Sequence, residues 1–156
     1  MNTLIVYAGK SGTTKKMATF LRDSLEGEVT LANLRKNRAP DPAAYDRVLI
    51  GGAVYAGSLD KVVRRFCEKY LESLKNRKIG LFLCSLREED ADGNFARNFP
   101  PELRTHASSE RWLGGRFIFA EHTFVIRAMM KKLTGKDTNV DNLQWDKAKQ
   151  FVDEVS

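Results

Sequence analysis

No apolar run in this sequence approaches the ~20 residues that a membrane-spanning helix needs. The opening residues, MNTLIVYAGK, lack a basic segment, and their apolar run is too short for a signal peptide. The expectation is a cytoplasmic protein without a transmembrane anchor. Cysteine is scarce. Cys67 and Cys84 are the only two, one in a predicted helix and one in a predicted strand, so free thiols are expected and not a disulfide. Histidine is equally scarce, with only His106 and His122 and no Cys/His cluster, which argues against a zinc site. No zinc-finger or RNA-binding signature occurs, and no nucleic-acid partner is expected. There is also no repeat, low-complexity tract or interdomain linker, so residues 1–156 are read as a single domain.

What is present is an ordinary globular balance, 42% hydrophobic and 29% charged, in a chain long enough for one substantial core. The net charge of +6 fits either simple solubility or an anionic partner.

Apolar runs alternate with amphipathic segments along the whole chain. Leu4 to Ala8 is a short β-rich run of the kind buried on both faces of a sheet. From Thr14 the period becomes helical, with Met17, Phe20, Leu21 and Leu25 on one face and Gly27 as the stop. Glu28–Leu31 is a second strand, and 35–46 is a polar loop containing proline. Arg47–Val54 is a third strand, opened by Gly51 and Gly52. A helix is predicted over Leu59–Leu74, a fourth strand over Lys78–Ser85, and an irregular stretch with a short helix before Pro100-Pro101. Arg111–Phe119 reads as a fifth strand interrupted by Gly114-Gly115, with helices over His122–Leu133 and Gln144–Val155. Strict β/α alternation implies a three-layer α/β sandwich around a five-stranded parallel sheet of order 2-1-3-4-5. Such sheets bind ligands beyond the carboxyl ends of their strands, where the order reverses between strands one and three.

The stretch YAGKSGTTKK falls at that place. It is not a Walker A motif, which spaces its glycines differently, and it is not GxGxxG. It joins a strand directly to a helix whose first turn holds Thr13 and Thr14. Free N–H groups there, with the hydroxyls of Ser11, Thr13 and Thr14, can surround one phosphate monoester. An ordinary turn with a Ser/Thr cap is the competing reading.

Ile5-Val6-Tyr7, Gly12, Thr14, Ala18 and Leu21 resemble the flavodoxin signature, in which a strand runs into a loop that wraps the phosphate of FMN. Gly9 departs from the pattern, standing where flavodoxins usually place Ser or Thr. A narrower resemblance joins YDRVLIGGAVYAGSLDKVVRRF (45–66), Ile126, the run Met130 to Gly135 and Trp145-Asp146 to the menaquinone-dependent protoporphyrinogen dehydrogenases of flavodoxin fold. The segment 87–100 is more compact than the insertion associated with those enzymes.

The resemblance implies FMN as cofactor. Gly9, Lys10, Ser11, Gly12, Thr13 and Thr14 would form its phosphate loop. Gly52, Ala53, Val54, Tyr55, Ala56 and Gly57 would flank one side of the ring, with Tyr55 to stack on it. Ser85, Leu86 and Arg87 would flank the other side. No catalytic residue emerges, and His122 is read as either a helix-start surface residue or one at the mouth of the site. The stripe Ile126, Met129, Met130 and Leu133, with Arg127, Lys131, Lys132 and Lys136 alongside, reads as a helix packed on the sheet or as a docking surface. Two functions compete. One is a protoporphyrinogen dehydrogenase-like enzyme passing electrons to a quinone, in peripheral contact with the inner face of an anionic membrane. The other is a soluble single-domain carrier between redox proteins.

Overall fold

Buried apolar strands come first, because they fix everything else. The computed structural model describes residues 1–9, 11–135 and 139–156. Strands β1 (Asn2–Ala8), β2 (Glu28–Asn33), β3 (Arg47–Tyr55), β5 (Lys78–Cys84) and β6 (Ser109–Trp112) form one parallel sheet in the order β2-β1-β3-β5-β6. A two-residue strand β4 (Ser58–Leu59) pairs antiparallel with the end of β3. Leaving β4 aside, the parallel order is the expected 2-1-3-4-5.

Side chains alternate across the sheet with the period of two that pleating imposes. Leu4, Val6, Val48, Ile50, Ile79, Leu81 and Leu83 meet one helical layer. That layer is built from α2 (Lys61–Lys69), α3 (Leu71–Leu74), α4 (Ala91–Asn98) and α5 (Pro101–His106). Ile5, Tyr7, Leu49, Phe82 and Cys84 meet the other, formed by α1 (Gly12–Ser24) and α7 (Trp145–Val155). Gly51 is required by this packing. A Cβ there would lie 2.4 Å from the Phe82 carbonyl and 2.5 Å from the Phe82 ring. Cys67 and Cys84 are buried free thiols on opposite layers.

Five expectations change. The single helix over Leu59–Leu74 is two, because Leu59 belongs to β4 and Asp60 caps α2 by accepting from the Val62 N–H. The backbone then turns out of helix at Tyr70 (φ −107°, ψ 17°) before α3 brings Leu74 into the core. The region 87–108 holds two helices, α4 and α5, with Pro101 opening the second.

The continuous fifth strand Arg111–Phe119 is also replaced. After Trp112, Gly114 takes φ +85°, and a Cβ there would sit 2.0 Å from the Asn142 carbonyl. This left-handed corner ends β6 and starts β7 (Gly114–Phe117), which leaves the main sheet and pairs antiparallel with β8 (Val140–Leu143). No strand was expected at 140–143, whose sequence VDNL has only two apolar residues and no strong period. The last helix of the cleft side, α6 (Phe124–Thr134), starts two residues later than expected, with Thr123 as its cap.

Candidate functional site

Three segments end together at the carboxyl side of the sheet. Each is placed by its own local chemistry.

The first is the β1–α1 turn. Ser11 caps α1 in extended geometry (φ −94°, ψ 167°) with no side-chain cap bond, so the first N–H groups of the helix stay open to a ligand. Thr13 and Thr14 are buried in the first turn. Thr14 Oγ1 is fully buried and has no hydrogen-bond partner among the described residues. A buried hydroxyl in that position is costly unless an acceptor or donor meets it. No acidic residue stands in the first turn of α1. Gly9 is tight against this pair, since a Cβ there would lie 3.1 Å from both Thr14 Cβ and Thr14 Oγ1. A side chain at Gly9 would need Thr14 to give way by a few tenths of an ångström. Lys10 lies outside the described residues.

The second segment is the β3–β4 turn. Ala56 (φ 50°) and Gly57 (φ 80°) both take left-handed backbone, the geometry of a tight two-residue hairpin turn. The turn is held from α4. The buried Asn98 donates from Nδ2 to the Gly57 carbonyl (2.9 Å) and accepts the Leu59 N–H at Oδ1 (2.9 Å). Arg97 Nη1 donates to the same carbonyl at 3.1 Å. Tyr55 projects from the turn with 44% of its surface exposed, as a stacking platform needs. Gly52 lies deeper, where a Cβ would meet Leu59 and the Ala8 carbonyl at 2.9 and 3.0 Å.

The third is the segment after β5. The Ser85 N–H donates to the Gly114 carbonyl (3.0 Å), while Trp112 Nε1 donates to both the Ser85 carbonyl and its hydroxyl (2.9 and 3.0 Å). Ser85 is thus engaged by the β6–β7 corner, leaving Leu86 and Arg87 to face the cleft. Arg87 is 67% exposed and pairs with Glu89 (3.0 Å) and Asp90 (3.3 Å). Its charge is largely answered by its own loop.

Between these segments opens a cleft of about 500 Å³. Thr13, Ala53, Val54, Tyr55, Ala56, Gly57, Ser85, Leu86 and Arg87 of the expected set line it; Gly9, Ser11, Gly12, Thr14 and Gly52 are not among its lining residues. The structure adds a wall of Gly115, Arg116 and Phe117, with Ile126, Met129 and Met130 from α6, that the sequence did not place in the cleft; His122 joins it, at the mouth that was one of its two expected places. His122 therefore belongs to the cleft and not to a surface helix start; its ring stacks on Phe117 at 4.2 Å and 4°. Cys84 also lines the cleft, but burial pushes its thiol up to about 12, so it stays neutral. The expectation that α6 packs flat on the sheet also fails. Phe124, Val125 and Met129 are 78%, 66% and 56% exposed, while Ile126 and Met130 turn toward the cleft. Leu133's side chain and Lys136 lie outside the described residues. The only early signal for the missed wall was Gly114-Gly115.

A doubly wound sheet of this order, with a phosphate-type helix start and two loops facing each other at the switch point, defines a protein that holds a flat phosphate-bearing group. The known relatives agree. The flavodoxin domain matches residues 4–142, and the chain belongs to the flavodoxin family. It is 22% identical over 172 aligned positions to the protoporphyrinogen IX dehydrogenase [quinone] of Escherichia coli K12, covering all of this chain and 95% of that one. Among solved structures it resembles the flavodoxin of Streptococcus pneumoniae TIGR4 (TM-score 0.60, 17% identity, 99% and 97% of the two chains). The two-electron reduced flavodoxin of Megasphaera elsdenii is comparable (TM-score 0.62, 17% identity, 98% and 97%). A Lactobacillus acidophilus flavoprotein solved in complex with FMN matches over 73% of this chain and 91% of its own (TM-score 0.51, 18% identity).

The residues present fit FMN. The orphaned Thr14 hydroxyl, the uncapped start of α1 and the absence of acid in its first turn suit a phosphate. The apolar cleft with an exposed tyrosine suits a ring.

Proposed function

We propose that this protein is an FMN-dependent oxidoreductase of the protoporphyrinogen dehydrogenase kind, delivering electrons to a quinone. Ser11, Gly12, Thr13 and Thr14 hold the phosphate, with Gly9 and Lys10 completing the loop. The 52–57 turn and Ser85, Leu86 and Arg87 flank the ring, and Tyr55 covers it. Bound FMN supplies the electron chemistry, taking reducing equivalents from one reactant and passing them to another. The protein's part is to orient the reactants and exclude water. Asn98 and Arg97 keep the turn at 55–58 in place. Phe117, Ile126, Met129 and Met130 dry the far side of the cleft.

That apolar far wall is the observation that carries the reading. A carrier that touches only other proteins has no need of a cleft extending beyond its flavin loops, whereas a large apolar reductant does. A quinone acceptor resides in a bilayer, so the reading includes peripheral contact through the outward face of α6, where Phe124 and Val125 are exposed along with Arg127, Lys131 and Lys132.

The same outer face suits docking of an acidic redox protein, which keeps the single-domain carrier as a second reading. One experiment separates the two. FMN-loaded protein is mixed anaerobically with protoporphyrinogen and a menaquinone analogue, and porphyrin fluorescence is followed. The enzyme reading expects fluorescence that requires both FMN and quinone. A flavin that exchanges electrons with redox proteins but leaves protoporphyrinogen untouched establishes the carrier.

A further inference from the structure

We propose that Arg116 is a phosphate-binding residue, setting a fixed cation beside the N-terminus of α1 so that the site selects a phosphorylated flavin. The inference rests on the FMN reading and adds a residue to it.

Arg116 reaches this place only because the chain leaves the main sheet. Gly114 makes the left-handed corner, and Gly115 then passes so close to β5 that a Cβ there would lie 2.5 Å from Ser85 backbone. These two glycines lay β7 across the carboxyl end of the sheet. The Arg116 side chain ends at the phosphate loop. Its Nη2 is 3.5 Å from the position a Gly12 Cβ would take, and its Nε is 3.5 Å from Thr13 Oγ1. Thr13 Oγ1 in turn lies 3.4 Å from the Arg116 carbonyl. Both hydroxyl contacts are long for hydrogen bonds, so they mark proximity more than attachment.

The independent sign of an anion is the buried Thr14 Oγ1, with no partner among the described residues, in the same first turn. A guanidinium suits this task because its donors form a rigid fork that matches phosphate oxygens. Helix N–H groups alone hold an anion by partial charges; a full cation also favours the dianion over the monoanion. Arg116 lies on the cleft wall, so a bound phosphate would be shielded from salt better than one on the open surface.

The test measures dissociation constants for FMN and riboflavin with the apoprotein, Arg116→Gln and Arg116→Lys, at several pH values. The expected result is FMN binding weakened roughly 10- to 100-fold in Arg116→Gln, as for a lost charge-assisted hydrogen bond. Riboflavin binding should change by less than about threefold, which also reports a folded ring site. Arg116→Lys should fall between the two for FMN. As pH drops through the second phosphate pKa of about 6, FMN affinity should fall in the unaltered protein and fall less in Arg116→Gln. Equal losses for both flavins, or an unchanged FMN-to-riboflavin ratio, would overturn the role of Arg116 while leaving FMN binding intact. Failure of the unaltered protein to prefer FMN would overturn the FMN reading together with it.

Discussion

Arg47 is a charged side chain in the middle of an apolar core. It opens β3 and is buried, with Nε donating to Thr3 Oγ1 and Nη1 to the Val155 carbonyl, both at 2.9 Å. Burial lowers its pKa from the ordinary arginine value, but arginine starts so high that the charge persists. The bond to Val155 places that charge on the last residue of α7, where a helix presents its negative end. Removing the guanidinium strands a hydroxyl and a carbonyl in the core. Arg47→Ala should therefore cost about 2–4 kcal/mol. Urea unfolding would read this as a lower midpoint at unchanged slope, and an unmoved midpoint would show that the two acceptors find other donors. Arg87 is the opposite case. It was expected to flank one side of a ring; Glu89 and Asp90 already answer its charge, and it is mostly exposed.

At the scale of elements, the β6–β7 corner decides whether the cleft has its third wall. Gly114 carries both a left-handed backbone and a 2.0 Å approach to the Asn142 carbonyl that no side chain tolerates. Gly114→Ala combines backbone strain with a clash and should destabilise the protein by about 2–4 kcal/mol. If the corner is what places β7, the variant that remains folded at low temperature should also bind FMN more weakly, measured by flavin fluorescence quenching. Normal affinity in a destabilised variant would show that β7 holds its place without the corner. The β3–β4 turn is secured differently, by Asn98 and Arg97 reaching over from α4. One loop is thus placed by backbone geometry and the other by side-chain hydrogen bonds.

For the molecule as a whole, the question is where it works. Among the described residues no helix is long and apolar enough to cross a membrane. The outer face of α6 combines Phe124 and Val125 with Arg127, Lys131 and Lys132. Three basic residues near anionic headgroups are worth about 1 kcal/mol each, and the exposed apolar side chains add a part that salt does not screen. Sedimentation with vesicles should therefore show binding to anionic and not to neutral lipid, largely released by high salt. Lys131→Glu/Lys132→Glu should weaken it. No binding to either vesicle would remove the bilayer from the proposed function and leave the carrier with its acidic partner.

The centre of the parallel sheet was legible because β1, β3 and β5 carry short, continuous apolar runs, unlike the amphipathic helices between them. The order 2-1-3-4-5 and a helix opening just after the Gly9–Gly12 turn followed from those runs and their glycines. Other features required the folded chain. The split at Gly114, the β7–β8 ribbon and the outward turn of α6 depend on contacts between residues distant in sequence. Gly114 meets Asn142, and Gly115 meets Ser85. Strand pairing of VDNL with GGRF leaves little local period to read, because GGRF is buried at three of its four residues and VDNL only at Leu143. Arg116 carries no signal in the sequence, and His122 reads equally as a surface residue or as one at the mouth of the site. Only the corner that carries β7 out of the sheet brings one to the phosphate loop and the other into the cleft.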